Sequence, residues 1–456
     1  MYFKSFFDKQ LAQMAYLVGC QQTGEAIIID PLRDIEAYIK AAEDEGLTIT
    51  KGAETHIHAD FASGLRDVNR KLSAELYVSD MGDDDWKYEN MPEDTIYLKE
   101  GDVIEVGNII LEVLYTPGHT PESLSFLLTD KGGGSSVPMG IFSGDFLFVG
   151  DVGRPDLLES AAKMEGTTDS GAKDMYESVQ KAKDLPDHLQ VWPGHGAGSA
   201  CGKSLGAVPV STLGYEKENN WAFKINDEET FKKELVQDQP EPPNYFAQMK
   251  KINKTDVPKA ADSRVYPLSS DTFTDLIIDL RAKEIYQAGH SHGALNVPMN
   301  EKFLSYVGWF LDYDKELTLI GTKEDADEAA RQLLLIGYDK VKGYAAPADV
   351  DSSAVSLTIE PEEFVDLYQN NGESLSILDV RNQEEWNEGH LDGAERVLFG
   401  DLLNDTVPFD ENEWIYVHCQ SGVRSGIALG ALEKRGYFQV VNIKGGYGEL
   451  ESLLDK

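Results

Sequence analysis

The chain has 456 residues, 41% hydrophobic and 27% charged, a globular composition with room for about three domains. Lys and Arg number 41 against 80 Asp and Glu, and the formal charge of -39 would repel a phosphate backbone, which argues against nucleic acid as a partner. No apolar run approaches the roughly 18 residues of a membrane span, so no membrane partner is expected.

The opening MYFKSFFDKQLAQMAYLVG has neither a basic n-region nor a small-residue cleavage site, so it does not read as a signal peptide and a cytoplasmic location is expected. Cys20, Cys201 and Cys419 are too few and too far apart for a disulfide framework, and read as free thiols in a reducing compartment. Cys20, in YLVGC, reads as core. Strand-like EAIIID (25–30), NIILEVLYT (108–116) and SLSFLLT (123–129) are interleaved with helical DIEAYIKAAEDEG (34–46), an α/β pattern. THIHADF (55–61) then places two imidazoles and a carboxylate, His56, His58 and Asp60, on one short loop. His119 follows in TPGHTPES, Asp145 in FSGDFLF and His195 in VWPGHGAG, so that four of the nine histidines stand on Gly-punctuated turns. Packing does not account for that concentration, whereas loops held by a scaffold are where convergent metal ligands sit.

From residue 216 the chain turns polar and helix-forming, is broken by Gln239-Pro240-Glu241-Pro242-Pro243, and runs through KKINKTDVPKAADS (250–263) as a linker. An internal repeat follows. DLRAKEIYQAGHSHGALNV (279–297) and DVRNQEEWNEGHLDGAERV (379–397) align without a gap, each followed by a strand-like run, a helical segment and a Gly-Tyr. In the second copy the run ends in His418-Cys419-Gln420-Ser421-Gly422-Val423-Arg424-Ser425. A cysteine at a strand-to-helix turn meets unpaired backbone N–H groups and a positive helix end, which favour a thiolate and mark a nucleophile. The equivalent stretch of the first copy, LIGTKEDADEAAR (319–331), holds no cysteine and several acids. The expected domains are therefore 1–215, an extension and linker over 216–261, an inactive copy over 262–350 and an active copy over 355–456.

The ordered set His56, His58, Asp60, His119, Asp145, His195 resembles the metallo-β-lactamase fold family, which implies an αββα sandwich with ligands on loops at one sheet edge. Hydrolase members such as glyoxalase II carry a further histidine where Phe61 stands here. A phenyl ring donates no lone pair, so one metal per chain is expected. Two imidazoles and a carboxylate with open positions suit non-haem Fe(II). Within the family the pattern is most similar to the persulfide dioxygenases, which implies Fe(II) on His56, His119 and Asp145, with His58, Asp60 and His195 orienting ligands and bound water by hydrogen bonds. The segment GDVGRPDL (150–157) is similar to a Gly-Arg-x-Asp stretch of those enzymes and offers Arg154 for an anionic substrate tail.

The repeated Asp-x-Arg and Gly-His-x-x-Gly-Ala motif and the Cys419 loop resemble rhodanese domains, in which the loop cysteine carries a persulfide sulfur. Protein phosphatases with a related turn have five residues between Cys and Arg, whereas four separate Cys419 from Arg424, so sulfur transfer with Cys419 and Arg424 is preferred over phosphate chemistry. His290-Ser291-His292 falls inside the rhodanese motif and is expected to be structural. The combination resembles bacterial multidomain persulfide dioxygenase-sulfurtransferases, including the Gly-rich stretch 195–204, where Cys201 is implied as a second sulfur carrier. The implied substrates are a low-molecular-weight thiol persulfide and dioxygen, with oxidation to sulfite and onward transfer to thiosulfate, in a homo-oligomer. Two rivals stand beside this reading, a glyoxalase II-like thioester hydrolase and a non-enzymatic persulfide carrier or scaffold.

Overall fold

The computed structural model describes residues 1–157, 159, 167–203, 205–258 and 263–454. Ser204, the expected linker end at 259–261, the expected start of the inactive copy at 262 and residues 455–456 lie outside the described residues. The chain divides into two compact units, Met1–Ala260 with Leu334–Gly337, and Ala261–Leu333 with Tyr338–Lys456. Among the described residues no helix is long and apolar enough to cross a membrane.

The first unit is built on two six-stranded sheets. One runs in order through β1 (Tyr2–Asp8), β2 (Gln13–Cys20), β3 (Glu25–Ile29), β4 (Thr48–Ala53), β5 (Glu75–Ser79) and β6 (Ile96–Leu98). The other contains β7 (Val103–Val106), β8 (Ile109–Tyr115), β9 (Leu124–Asp130), β10 (Gly140–Gly144), β11 (Gln190–Pro193) and β12 (Ser211–Thr212), ordered β12-β11-β10-β9-β8-β7. Every residue of β2 is buried, because successive side chains of a strand face opposite sides and both sides are covered here. Tyr16 and Val18 meet Ile104, Leu111, Phe126 and Phe142 of the second sheet in one apolar core. Ala15 and Leu17, on the other face, pack with Tyr38 and Ala41 of the helix Glu36–Asp44. Ile141 and Val191 cover the far face of the second sheet with Met175 and Val179 of the helix Thr167–Ala182. The layers are αββα, as the sequence implied.

Strand directions place the ligand loops. β8 and β10 both run antiparallel to β9, and β11 runs parallel to β10. His119, Asp145 and His195 therefore all leave the second sheet at the same edge. The loop after β4 joins them there, since the N–H of Leu124 at the head of β9 donates to Thr55 O at 2.8 Å.

The second unit holds two parallel sheets that repeat one plan. β13 (Leu276–Asp279), β14 (Leu295–Asn296), β15 (Leu317–Ile320) and β16 (Val341–Ala345) are ordered β14-β13-β15-β16. β17 (Leu357–Ile359), β18 (Ser376–Asp379), β19 (Ala394–Arg396), β20 (Ile415–His418) and β21 (Val440–Ile443) are ordered β17-β21-β20-β18-β19, with one added strand. The repeated Asp-x-Arg closes an inner strand of each sheet, β13 and β18. Arg381 Nη2 donates to Asp379 Oδ2 at 2.7 Å and to Gly389 O at 2.7 Å, and Arg281 does the same with Asp279 and Gly289 at 2.6 and 3.1 Å. The repeated histidines are built in the same way. His290 Nδ1 donates to Tyr286 O at 2.9 Å with its ring stacked on Tyr286, and His390 Nδ1 donates to Trp386 O at 3.0 Å with its ring stacked on Trp386. Asp379 pairs with His418 across the sheet and Asp279 with Ile320, so Gly321 stands at the position of Cys419 in the first repeat.

Arg381 and Asp379 are almost wholly buried, and removing one member of such a pair strands the other charge. Arg381→Ala is expected to lower the opening free energy of β18 by about 3–5 kcal/mol. Amide hydrogen exchange at Ile377 and Leu378 checks this, and a change under about 1 kcal/mol would contradict the assignment.

Candidate functional site

The loop carrying His56 and His58 is pinned from several sides. Asp30, which ends the apolar run of β3 at a left-handed φ of 50°, accepts from Thr55 N at 2.7 Å, Thr55 Oγ at 2.9 Å and His58 Nε2 at 3.2 Å. Glu122 accepts the Ile57 N–H at 2.7 Å. Asn253 Nδ2 donates to His58 O and Phe61 O at 2.8 and 2.7 Å, while its oxygen accepts from Ser63 N. Buried loop amides need such partners, and these side chains supply them.

His56, His119 and Asp145 come together, with one donor atom of each within 4.8 Å of the others and all three buried. The hydrogen bonds fix which ring nitrogens remain open. His119 Nδ1 donates to Arg154 O at 2.8 Å, so Nε2 carries a lone pair and lies 3.5 Å from Asp145 Oδ2. Thr55 Oγ, whose proton goes to Asp30, accepts from His56 Nδ1 at 3.0 Å, which leaves His56 Nε2 open 4.0 Å from the same oxygen. Neither His56 Nε2 nor Asp145 Oδ2 has a hydrogen-bond partner. Burial first, and the neighbouring His58 next, hold His56 well below the usual imidazole range, and burial also lowers His119. Two neutral imidazoles and a carboxylate, with orphaned buried atoms on His56 and Asp145 and the open Nε2 of His119 beside them, fit a metal ion.

His195 is of another kind. Its Nδ1 donates to Asp145 Oδ1 at 2.8 Å and its Nε2 to Asp60 Oδ2 at 2.7 Å. Burial opposes its charge, yet Asp145 and Asp60 raise it to about 10, so it is an imidazolium with no lone pair to give. A second trio, Asp60, His195 and Cys201, also has donor atoms within 4.8 Å. Both His195 nitrogens are taken up by carboxylates, and Phe61, fully buried with its ring 4.3 Å from that of His58, adds no donor atom there. His58 itself is held near 9, because Asp30 outweighs the burial that would lower it. The Cys201 thiol is pushed well up by burial, with the Asp145 and Asp60 charges adding to it.

Two arginines are paired with carboxylates. Arg154, expected at an anionic substrate tail, is 1% exposed and gives Nε and Nη2 to Asp156 at 2.8 and 2.5 Å and Nη1 to the carbonyls of Ala200 and Pro240. Its N–H donates to Cys201 O, and its own carbonyl receives His119, so it braces the two sides of the site. Arg424, expected to act with Cys419, is held by both oxygens of Glu385 at 2.6 Å. Cys419 lies just beyond β20, 1% exposed, and its Sγ accepts from the N–H of Gly422 at 3.1 Å and the hydroxyl of Ser425 at 3.6 Å. Gly422 adopts a φ of 84°, which a side chain would disfavour.

Asp30 had a sequence signal, an acid closing the apolar run EAIIID. Glu122, Asn253 and Glu385 had none, because each is defined by a partner 39 or more residues away.

A family model described as metallo-beta-lactamase superfamily matches residues 9–195, and one described as rhodanese-like domain matches residues 360–452. The crystal structure of a metallo-beta-lactamase from Staphylococcus aureus subsp. aureus COL is 55% identical, with a TM-score of 0.72 over 76% of this chain and 99% of its own. Among curated proteins, the mitochondrial persulfide dioxygenase ETHE1 of Bos taurus is 26% identical over 234 residues, covering 50% of this chain and 78% of its own length. A hydroxyacylglutathione hydrolase of Synechococcus sp. is 31% identical over 180 residues, covering 39% and 62%.

Glu122 gives the site a measurable pH signature. Burial raises its carboxyl from 4.5 to about 7, so over that interval the folded chain keeps a proton that the unfolded chain has released. The stabilisation is full below pH 4.5 and is lost as pH rises through about 7. Glu122→Gln keeps an acceptor for Ile57 N–H and is expected to flatten this decline in the metal-free protein. Unfolding curves collected across that interval test it, and an undiminished slope would contradict it.

Proposed function

Because the chain belongs to the metallo-β-lactamase superfamily and carries a C-terminal rhodanese-like domain, we propose that it is a persulfide dioxygenase coupled to a sulfurtransferase, oxidising a low-molecular-weight thiol persulfide to sulfite and then forming thiosulfate. The observation that carries this reading is the contrast between the two halves of the site. His56 and His119 present lone pairs beside Asp145, whereas His195 has both nitrogens committed as donors and Phe61 has none to offer. One metal is thereby favoured over the pair that hydrolytic relatives of this fold use.

His56, His119 and Asp145 would hold a single Fe(II), which supplies when bound the one-electron chemistry that joins dioxygen to sulfur. The chain's own groups do the rest. Asp145 keeps its carboxylate because the charge and hydrogen bond of His195 overcome the burial that would protonate it. His195 stands as a proton donor beside the reacting sulfur and Cys201 as the thiol that presents it. Overall, persulfide, dioxygen and water give thiol, sulfite and two protons, so no further reductant is needed. In the other unit Cys419 accepts a sulfane sulfur from a second persulfide, and sulfite takes it.

A thioester hydrolase is the second reading, favoured by the likeness to the hydroxyacylglutathione hydrolase over 180 residues. It requires a second metal on Asp60 and His195, which the imidazolium opposes.

Metal analysis after anaerobic purification is expected to give one iron per chain, lost in His119→Ala and Asp145→Ala; two tightly held metals would exclude the proposal. Cys419→Ser is expected to keep oxygen uptake with a small-thiol persulfide while sulfite accumulates, and Cys201→Ser to slow oxygen uptake itself. Oxygen, sulfite and thiosulfate are followed together, with the nonenzymatic reaction of sulfite with persulfide subtracted. Thiosulfate formed by Cys419→Ser at the wild-type rate would overturn the division of labour.

A further inference from the structure

Sulfite is an oxyanion, and its approach to a sulfur on Cys419 calls for positive charge at the loop. Two arginines beside the loop are already paired with carboxylates. Arg424 is neutralised by Glu385 through two bonds of 2.6 Å. Arg381 is bound by Asp379, Gly389 O and Gln420 Oε1.

A further cation, unpaired among the described residues, comes from the first repeat. Lys283, the first residue of the helix Lys283–Ala288, is half-buried and makes no hydrogen bond or ion pair among the described residues. Its Nζ lies 3.1 Å from where a Cβ on Gly422 would stand, and its Cε 3.9 Å from the same point on Gly426. Gly422 is the residue whose N–H meets Cys419 Sγ, so the ammonium stands at the mouth of the loop. The first repeat is held in this place by its own side chains. Trp309 lies edge-on to Phe399 at 5.5 Å and fills the space a side chain at Gly400 would take, and Tyr306 meets the same ring at 6.0 Å. The Tyr306 phenol, raised chiefly by burial, also feels the charges of Arg424 and Cys419. In the aligned second repeat the position of Lys283 is Gln383, which carries no charge.

We infer that Lys283, supplied by the repeat without a cysteine, is the specificity-determining cation of the Cys419 site and receives the oxyanion that takes the sulfane sulfur. The inference rests on the sulfur-transfer reading above. In the step it serves, the sulfite lone pair attacks the outer sulfur of the Cys419 persulfide and a new S–S bond forms. The Cys419 S–S bond breaks, its electron pair stays on Sγ as thiolate, and thiosulfate leaves with no oxidant consumed. Lys283 takes no part in bond making; it lowers the free energy of the bound anion.

The test uses the full chain as wild type, Lys283→Ala and Lys283→Arg. Persulfide loading of Cys419 is read by intact mass. Thiosulfate formation is then measured against sulfite concentration, and thiocyanate formation against cyanide, which near neutral pH is mainly its uncharged acid. Loss of one charge-assisted contact is expected to raise KM for sulfite about tenfold in Lys283→Ala. Loading is expected to be complete and thiocyanate formation to move by less than about twofold, with Lys283→Arg restoring most of the sulfite KM because the charge is retained. An unchanged sulfite KM, or equal losses with both acceptors, would overturn the role of Lys283. Failure of the wild type to load Cys419 or to form thiosulfate from sulfite would instead overturn the sulfur-transfer reading beneath it.

Discussion

Burying the carboxylate of Asp145 as an anion is the constraint on which the front site depends. An isolated charge cannot be held at that depth, so cationic or donor groups must surround it. His195 donates to one oxygen, while the other, which has no hydrogen-bond partner, faces the open ring nitrogens of His56 and His119, a place for a cation. The remaining construction follows from keeping those rings in place. Asp30 and Thr55 set the tautomer of His56, the Arg154 carbonyl sets that of His119, and Glu122 and Asn253 hold the loop amides. Gly153 is part of the same close packing, since a Cβ there would stand 1.9 Å from Asp145 O.

Much of this was legible in the order of the residues, because the αββα plan and its ligand loops leave short motifs on turns. The four histidines and two carboxylates could be gathered on that basis, the resemblance implied His56, His119 and Asp145 as the ligands among them, and the 100-residue repeat exposed the plan of the second unit. Charge pairing was not legible. Arg154 looked available for an anion, yet Asp156 two residues away holds its guanidinium, and Arg424, expected to act with Cys419, is also bound by Glu385 thirty-nine residues away. Spacing alone says that an arginine is near a site; it does not say whether its guanidinium is already occupied. Glu122 and Asn253 were invisible for a related reason, being ordinary polar residues whose partners are set by topology.

The two rhodanese-like repeats separate frame from chemistry. Both keep the buried Asp–Arg clasp and the stacked Gly-His, which hold strand, turn and helix together. Only the second places a thiol after its central strand, with Gly422 N–H and Ser425 Oγ aimed at it; the first has Gly321 there. Retaining the frame without the nucleophile leaves a well-packed body whose surface is free to serve the neighbouring loop.

The doubly bonded His195 also sets the electrical state of its pocket. Asp60 and Asp145 with one imidazolium carry a net single negative charge, and a divalent cation on the three open atoms reverses it to a single positive one. Before loading, the cavity repels anions; afterwards it attracts them. Under the proposed reading this balance would favour one order of assembly, cation first and anionic substrate second, with no moving part required.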